Sequence, residues 1–273
     1  MEQLKLAVLD MYDGEKNQGM RALREILEDF KDQLTVTEFD VRAKGEMPDT
    51  SFDIYISSGG PGNPLEGDGE WDENWNHLMD QLWRSNLAGI ESKKHVFFIC
   101  HSFQMICAHF GIGEITKRRK KSFGTFPCHK TKEGKHDPIL KNLDDPFCVA
   151  DFREYQVVQP NYDVIEAIKA KILAVGKPRP HVPYERALMC VRFSDEFFGT
   201  QFHPEADPLG MRDHFMQPER REAVFEEFGK RKYFQMLEDL DDPSKIAVTH
   251  NLVIPLFLSK AINSLRMESA LAG

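Results

Sequence analysis

Apolar runs of strand length alternate with helical spacing through the first 110 residues. Leu4 to Leu9 is a nearly continuous apolar run, the mark of a strand covered on both faces. Met20, Leu23, Ile26, Leu27 and Phe30 then recur at helical spacing between Gly19 and Phe30. Leu34 to Val41 has strand character, and so does Phe52 to Ile56, which runs into Ser57-Ser58-Gly59-Gly60-Pro61-Gly62. Trp71 to Leu87 predicts an amphipathic helix through Trp75, Leu78, Met79 and Leu82. Val96 to Ile99 is a short apolar strand, and Phe103, Ile106 and Phe110 start a helix directly behind it. Three such alternations predict an α/β fold: a mostly parallel central sheet flanked by helices.

The pattern changes from Ile112 to Phe202. Short strand candidates appear at Phe123 to Cys128, Phe147 to Phe152, Ile172 to Val175, Ala187 to Phe193 and Phe198 to Phe202. Turn residues separate them, which suggests added antiparallel strands. Helical spacing returns in Arg220 to Gly229, Arg231 to Leu240 and Leu252 to Leu265. No repeat or linker divides the chain. The expected organisation is a domain over residues 1–207 with a helical C-terminal extension, 208–273, packed on it.

Composition narrows the class. Of 273 residues, 41% are hydrophobic and 29% charged, as in a globular protein. The net charge of −9 argues against general nucleic-acid binding. No signal peptide is recognisable, and no apolar run approaches the roughly 20 residues of a membrane span. Five cysteines without framework spacing point to free thiols and a cytoplasmic location.

One cysteine stands apart. Cys100 closes the strand Val96 to Ile99 and opens the helix after it. A thiol there faces unpaired backbone N–H groups and the positive end of a helix, which suits a nucleophile. A buried core cysteine has the same local pattern, and that reading stays open. Cys107, Cys128, Cys148 and Cys190 lie in apolar runs and are expected to be core. Far downstream, Phe198 to Phe202 ends in His203-Pro204-Glu205. Proline fixes the chain after the histidine, so Glu205 can hold the imidazole of His203 in one tautomer. An ordinary hydrogen-bonded turn histidine is the alternative. Lys117-Arg118-Arg119-Lys120-Lys121 is a basic run in an acidic chain, expected as a solvated loop. Cys128, His129 and His136 lack a fourth ligand, so neither a metal nor a cofactor is expected.

Taken together, these pieces resemble the class I glutamine amidotransferases, in particular stand-alone members similar to the GMP synthase glutaminase domain. Ser58-Gly59-Gly60-Pro61-Gly62, Cys100 and Gly199-Thr200-Gln201-Phe202-His203-Pro204-Glu205 carry the resemblance, which covers about residues 4 to 207. Asp10-Met11-Tyr12-Asp13-Gly14 resembles the family's first loop, and Gln104 follows the cysteine by four. The resemblance implies a flavodoxin-like fold and a Cys100–His203–Glu205 triad. It also implies an oxyanion hole from the N–H groups of Gly60 and His101, and substrate contacts from Gly59, Gln104 and Tyr155. Glutamine would give a γ-glutamyl thioester, and the ammonia would go to a synthase on another chain. Self-association is left open.

The chain departs from the pattern in three places. Phe98 and Ser102 stand where the family's elbow around the cysteine has glycines. The expected consequence is a rearranged elbow or a reshaped glutamine pocket. Phe152 to Val158 replaces a histidine-containing substrate segment, and about 65 residues follow Asp207. These departures keep two other functions in view: a hydrolase of γ-glutamyl amides or peptides, and a catalytically silent regulatory homologue.

Overall fold

The computed structural model describes residues 3–15, 17–90, 92–179 and 182–272. Elements are numbered in chain order. Strands β1 (Leu4–Asp10), β2 (Leu34–Asp40), β3 (Ile54–Ser57), β4 (His95–Ile99) and β11 (Phe197–Thr200) are mutually parallel. Their order across the sheet is β2-β1-β3-β4-β11, which is the flavodoxin-like order with its switch point between β1 and β3. Ligands of such sheets bind beyond the carboxyl ends of the strands at that point. Beyond β11 the sheet continues antiparallel through β10 (Leu188–Arg192), β9 (Lys171–Val175), β6 (Thr125–Lys130) and β7 (Phe147–Ala150). A separate two-stranded ribbon pairs β5 (Glu114–Ser122) with β8 (Arg153–Val158).

Both faces of the parallel half are covered, which explains the continuous apolar runs. Every residue of β4 is buried. On one face Leu6, Val8, Ile56, Phe97 and Ile99 pack against α1 (Gln18–Glu28) and α9 (Ile246–Ala272). On the other, Ala7, Leu9, Tyr55, Val96 and Phe98 meet α2 (Trp71–Ala88) and α3 (His101–His109). Helix α1 starts where Asn17 accepts a hydrogen bond from the Met20 N–H at 2.8 Å. A smaller cluster joins α6 (Pro208–Met216), α7 (Pro218–Phe228) and α8 (Lys230–Asp241) to the end of β7 through Ala150, Met211, Val224, Tyr233 and Met236.

Three elements differ from the sequence expectation. The basic run Lys117 to Lys121 is part of β5 rather than a loop. It lacks apolar alternation because β5 is largely exposed, and the strand is anchored on β8 by pairing on either side of the run, through Glu114 to Lys117 and through Ser122. Strand β11 joins the parallel set beside β4, although its chain neighbours are antiparallel. Helix α9 is 27 residues long and runs through Pro255. By length and composition alone, Ile246–Leu271 could cross a membrane, with a mean hydropathy of 1.2. Its apolar positions are used otherwise: Val253, Ile254, Phe257, Leu258, Ile262 and Leu265 are buried under the sheet. Burying each such side chain is worth roughly 1.5–3 kcal/mol.

Candidate active site

Three turns at the carboxyl ends of β3, β4 and β11 converge. The turn after β4 is the tightest. Cys100 has φ 48° and ψ −93°, outside the wells open to a residue with a side chain, and such backbone costs about 1–3 kcal/mol. Its N–H donates to Thr200 O at 2.8 Å, tying the turn to β11. Its carbonyl accepts the Gln104 N–H at 3.0 Å as α3 begins. The thiol-bearing residue is 5% exposed, at the floor of a cavity of about 150 Å³.

The substituted elbow is accommodated without disturbing that cavity. Phe98 points to the opposite side, into the core under α2 and α3, where its ring lies 5.9 Å from Trp75 and 5.8 Å from Phe197. It does not line the cavity, so the expected reshaping by Phe98 does not occur. The close packing around this residue depends on the neighbouring strand. Gly199 is the register partner of Phe98, and a Cβ there would come within 2.8 Å of Phe103 and 3.3 Å of Phe98. Ser102 is fully buried and acts as a staple. Its hydroxyl donates to Ser57 O at 2.6 Å and accepts from the Ile99 N–H at 3.0 Å, so the ends of β3 and β4 are joined.

The turn after β3 approaches Cys100 closely. A Cβ on Gly60 would fall 2.3 Å from Met11 O, so no side chain fits there. A Cβ on Gly59 would lie 2.8 Å from His203 Cε1, 3.0 Å from Tyr12 Oη and 3.6 Å from Cys100 Cβ. The loop after β1 is held by the Ser58 hydroxyl, which accepts the Met11 N–H at 2.9 Å.

After β11, His203 and Glu205 lie together, with Nδ1 2.8 Å from Glu205 Oε1. That leaves Nε2 for the cysteine. Burial opposes charge on the imidazole, but Glu205 and Cys100 outweigh it and hold His203 well above its ordinary pKa. The His203 N–H donates to Ala150 O at 2.9 Å, and His250 Nδ1 of α9 donates to Glu205 O at 3.0 Å. Asp207 caps α6 and pairs with Arg21 of α1. His101, on the other side of the cysteine, behaves in the opposite way. Burial, then Arg42, pushes it down to about 3, so it stays neutral.

The remaining wall is the ribbon. Lys121, Phe152, Arg153, Glu154 and Tyr155 line the cavity with Gly60, Cys100, His101 and Gln104. Gln104 Nε2 donates to Tyr155 O at 2.9 Å and to Gln201 Oε1 at 3.1 Å, which aligns the ribbon with α3. Lys121 and Glu154 form a half-exposed pair at 3.2 Å on the rim. Cys100, His203, Glu205, Gly59, Gly60, His101, Gln104 and Tyr155 are thus all brought to one place.

Sequence reasoning alone does not assign Tyr12 and Gln201 a place in the site. Tyr12 Oη lies close to the Cys100–His203–Glu205 group: a Cβ on Gly19 would be 2.7 Å from it and 3.1 Å from Glu205 Oε1. Burial, then Glu205 and Cys100, raises Tyr12 well above its ordinary value and keeps it a phenol. Its position just past β1 at the switch point is the signal that could have found it. Among the described residues no group of three or more His, Cys, Asp or Glu side chains forms a metal site. All five cysteines are free.

Comparison with known proteins identifies the family and the fold. The sequence model of the family described as "Glutamine amidotransferase class-I" matches residues 7–220. No curated protein matches the chain in sequence. Among solved structures, a glutamine amidotransferase from Thermotoga maritima superposes with a TM-score of 0.69 at 14% identity, covering 96% of this chain and 99% of that one. A putative GMP synthase subunit from Thermoplasma acidophilum gives 0.53 at 18% identity over 76% and 86%. The glutaminase domain of Trypanosoma brucei CTPS, solved with bound acivicin, gives 0.55 at 13% identity over 74% and 86%.

Proposed function

Since the chain belongs to the class I glutamine amidotransferases, we propose that it hydrolyses the side-chain amide of glutamine and delivers the ammonia to a synthase on another chain. The observation that carries this reading is the Cys100–His203–Glu205 group: Cys100 lines the cavity, and His203, held by Glu205, lies behind it. His203 takes the thiol proton as Cys100 Sγ attacks the amide carbon, and it returns that proton to the departing ammonia. A γ-glutamyl thioester remains. His203 then deprotonates a water, which attacks the thioester, releases glutamate and restores the thiol. In this reading the N–H groups of Gly60 and His101, both of which line the cavity, stabilise the oxyanion. Glu205 holds Nδ1–H throughout, so Nε2 is the nitrogen that moves protons.

The size and charge of the cavity favour a free amino acid. At about 150 Å³ it is well below the roughly 300 Å³ at which drug-sized ligand sites begin. Lys121 and Glu154 on its rim offer one charge of each sign, which suits the α-carboxylate and α-ammonium of glutamine. The same rim, exposed on one side, also favours a second reading: a γ-glutamyl amide or peptide hydrolase whose substrate continues outward. Ammonia and glutamate release should be measured with glutamine and with γ-glutamyl amides. Release from glutamine supports the first reading, release from γ-glutamyl compounds alone selects the second, and release from neither removes both. The acceptor synthase is sought by adding candidate partner proteins and following transfer of glutamine's amide nitrogen.

A further inference from the structure

A second cavity, of about 40 Å³, shares Arg153 with the catalytic one. It holds about three waters' worth of space, the size of one phosphate or carboxylate group. Its lining concentrates cations in a chain of net charge −9: Arg118, Arg153, Lys177, Arg179 and Arg186. Among the described residues the one acid in the lining is Glu185, whose Oε2 accepts the Tyr162 hydroxyl at 2.9 Å. Asp151, nearby, is engaged by Ser122 at 2.7 Å and by Arg153 Nε.

The donors are built in rather than scattered on the surface. The Arg153 side chain is 4% exposed, and its buried Nη1 has no partner among the described residues. Arg186 Nε is fixed on Gly176 O at 2.6 Å, and its buried Nη2 also has no partner there. Arg118 Nη1 donates to Gln156 Oε1 at 2.8 Å, which holds that guanidinium at the cavity. Burial, then Arg153 and Arg179, brings Arg118 down to about 10. These cations repel one another in a partly desolvated space, and a multiply charged oxyanion with several acceptors relieves both problems. A phosphate group meets that need better than a monocarboxylate.

We propose that this cavity binds a phosphate group and that Arg153, common to both cavities, transmits its occupancy to the catalytic one. Arg118 belongs to the basic run of β5, so the run supplies an anion ligand as well as a solvated strand.

The test uses inorganic phosphate and calorimetry at constant ionic strength, with chloride as the control. Phosphate should bind at one site per chain, and Arg186→Gln or Arg179→Gln, each confined to this cavity, should weaken it about tenfold or more. Circular dichroism of both variants identifies one that keeps its fold. No binding, or binding unchanged in a folded variant, overturns the site. A second arm with phenyl phosphate distinguishes sources: tighter binding than inorganic phosphate assigns a phosphomonoester, and weaker binding assigns the free ion. Coupling is read from the rate of Cys100 alkylation by iodoacetamide, which needs no turnover. Phosphate should change that rate in the wild type and not in Arg186→Gln. Binding with no such change overturns the role of Arg153.

Discussion

The cavity beside Cys100 has two walls of different construction. One is made by the turns after β3, β4 and β11, where Ser58, Ser102 and Thr200 fix the backbone through buried hydrogen bonds. The other is the β5–β8 ribbon, whose register shifts between Lys117 and Ser122 and whose cavity residues are charged or aromatic. A wall that stabilises a transition state must be preorganised, so its backbone is tied down. A wall that selects a substrate can vary in side chain without loss of the chemistry. The first should therefore govern turnover, and the second binding.

His203→Ala breaks the first wall and should have the largest effect. Amide release should fall about 10³–10⁴-fold in steady-state assays, with the fold retained by circular dichroism. Phe98→Ala tests whether the aromatic residue at the elbow is core. Unfolding in denaturant should show a loss of about 3–5 kcal/mol, while the residual folded enzyme keeps its KM. Gly199→Ala, on the neighbouring strand, should cost about 1–3 kcal/mol by crowding Phe98 and Phe103. Glu154→Gln addresses the ribbon. KM for glutamine should rise about tenfold with kcat nearly unchanged, and a fall in kcat instead would erase the distinction between the walls.

The smallest effects are in pH dependence, where the two histidines beside Cys100 have opposite signs. His203 has a raised folded value, so its contribution to stability is present in full below about pH 6.5. That contribution is lost as pH rises through the raised value. His101 has a folded value of about 3, so its cost appears as pH falls below about 6.5 and grows toward 3. Histidine NMR titrations should show His203 titrating well above His101, and Glu205→Gln should lower the His203 value.

For a physical reason, the first wall is legible in the sequence from local pattern, while in the second only the Phe152 to Val158 segment with Tyr155 is indicated, and that through family resemblance. A sharp strand-to-helix turn needs particular residues at neighbouring positions, so Cys100, Gly60 and His203-Pro204-Glu205 stand out locally. The place of Phe98 escapes a local reading because the glycine that accommodates it, Gly199, lies a strand away. The ribbon leaves no period-2 signal because β5 is largely exposed. The arginine cluster joins positions 118, 153, 179 and 186, which only the folded topology brings together. Tyr12 is visible as part of a loop, but its reach to Gly59 and Glu205 depends on the β1–β3 register.

Whether Cys100 is the nucleophile of a glutamine site is tested most directly by covalent trapping. The protein is incubated with a diazo-ketone analogue of glutamine and digested for mass spectrometry. One adduct per chain on Cys100, blocked by excess glutamine and absent in His203→Ala, is the predicted result. An unmodified Cys100, or labelling that falls on the partly exposed Cys148 and is insensitive to glutamine, would contradict it.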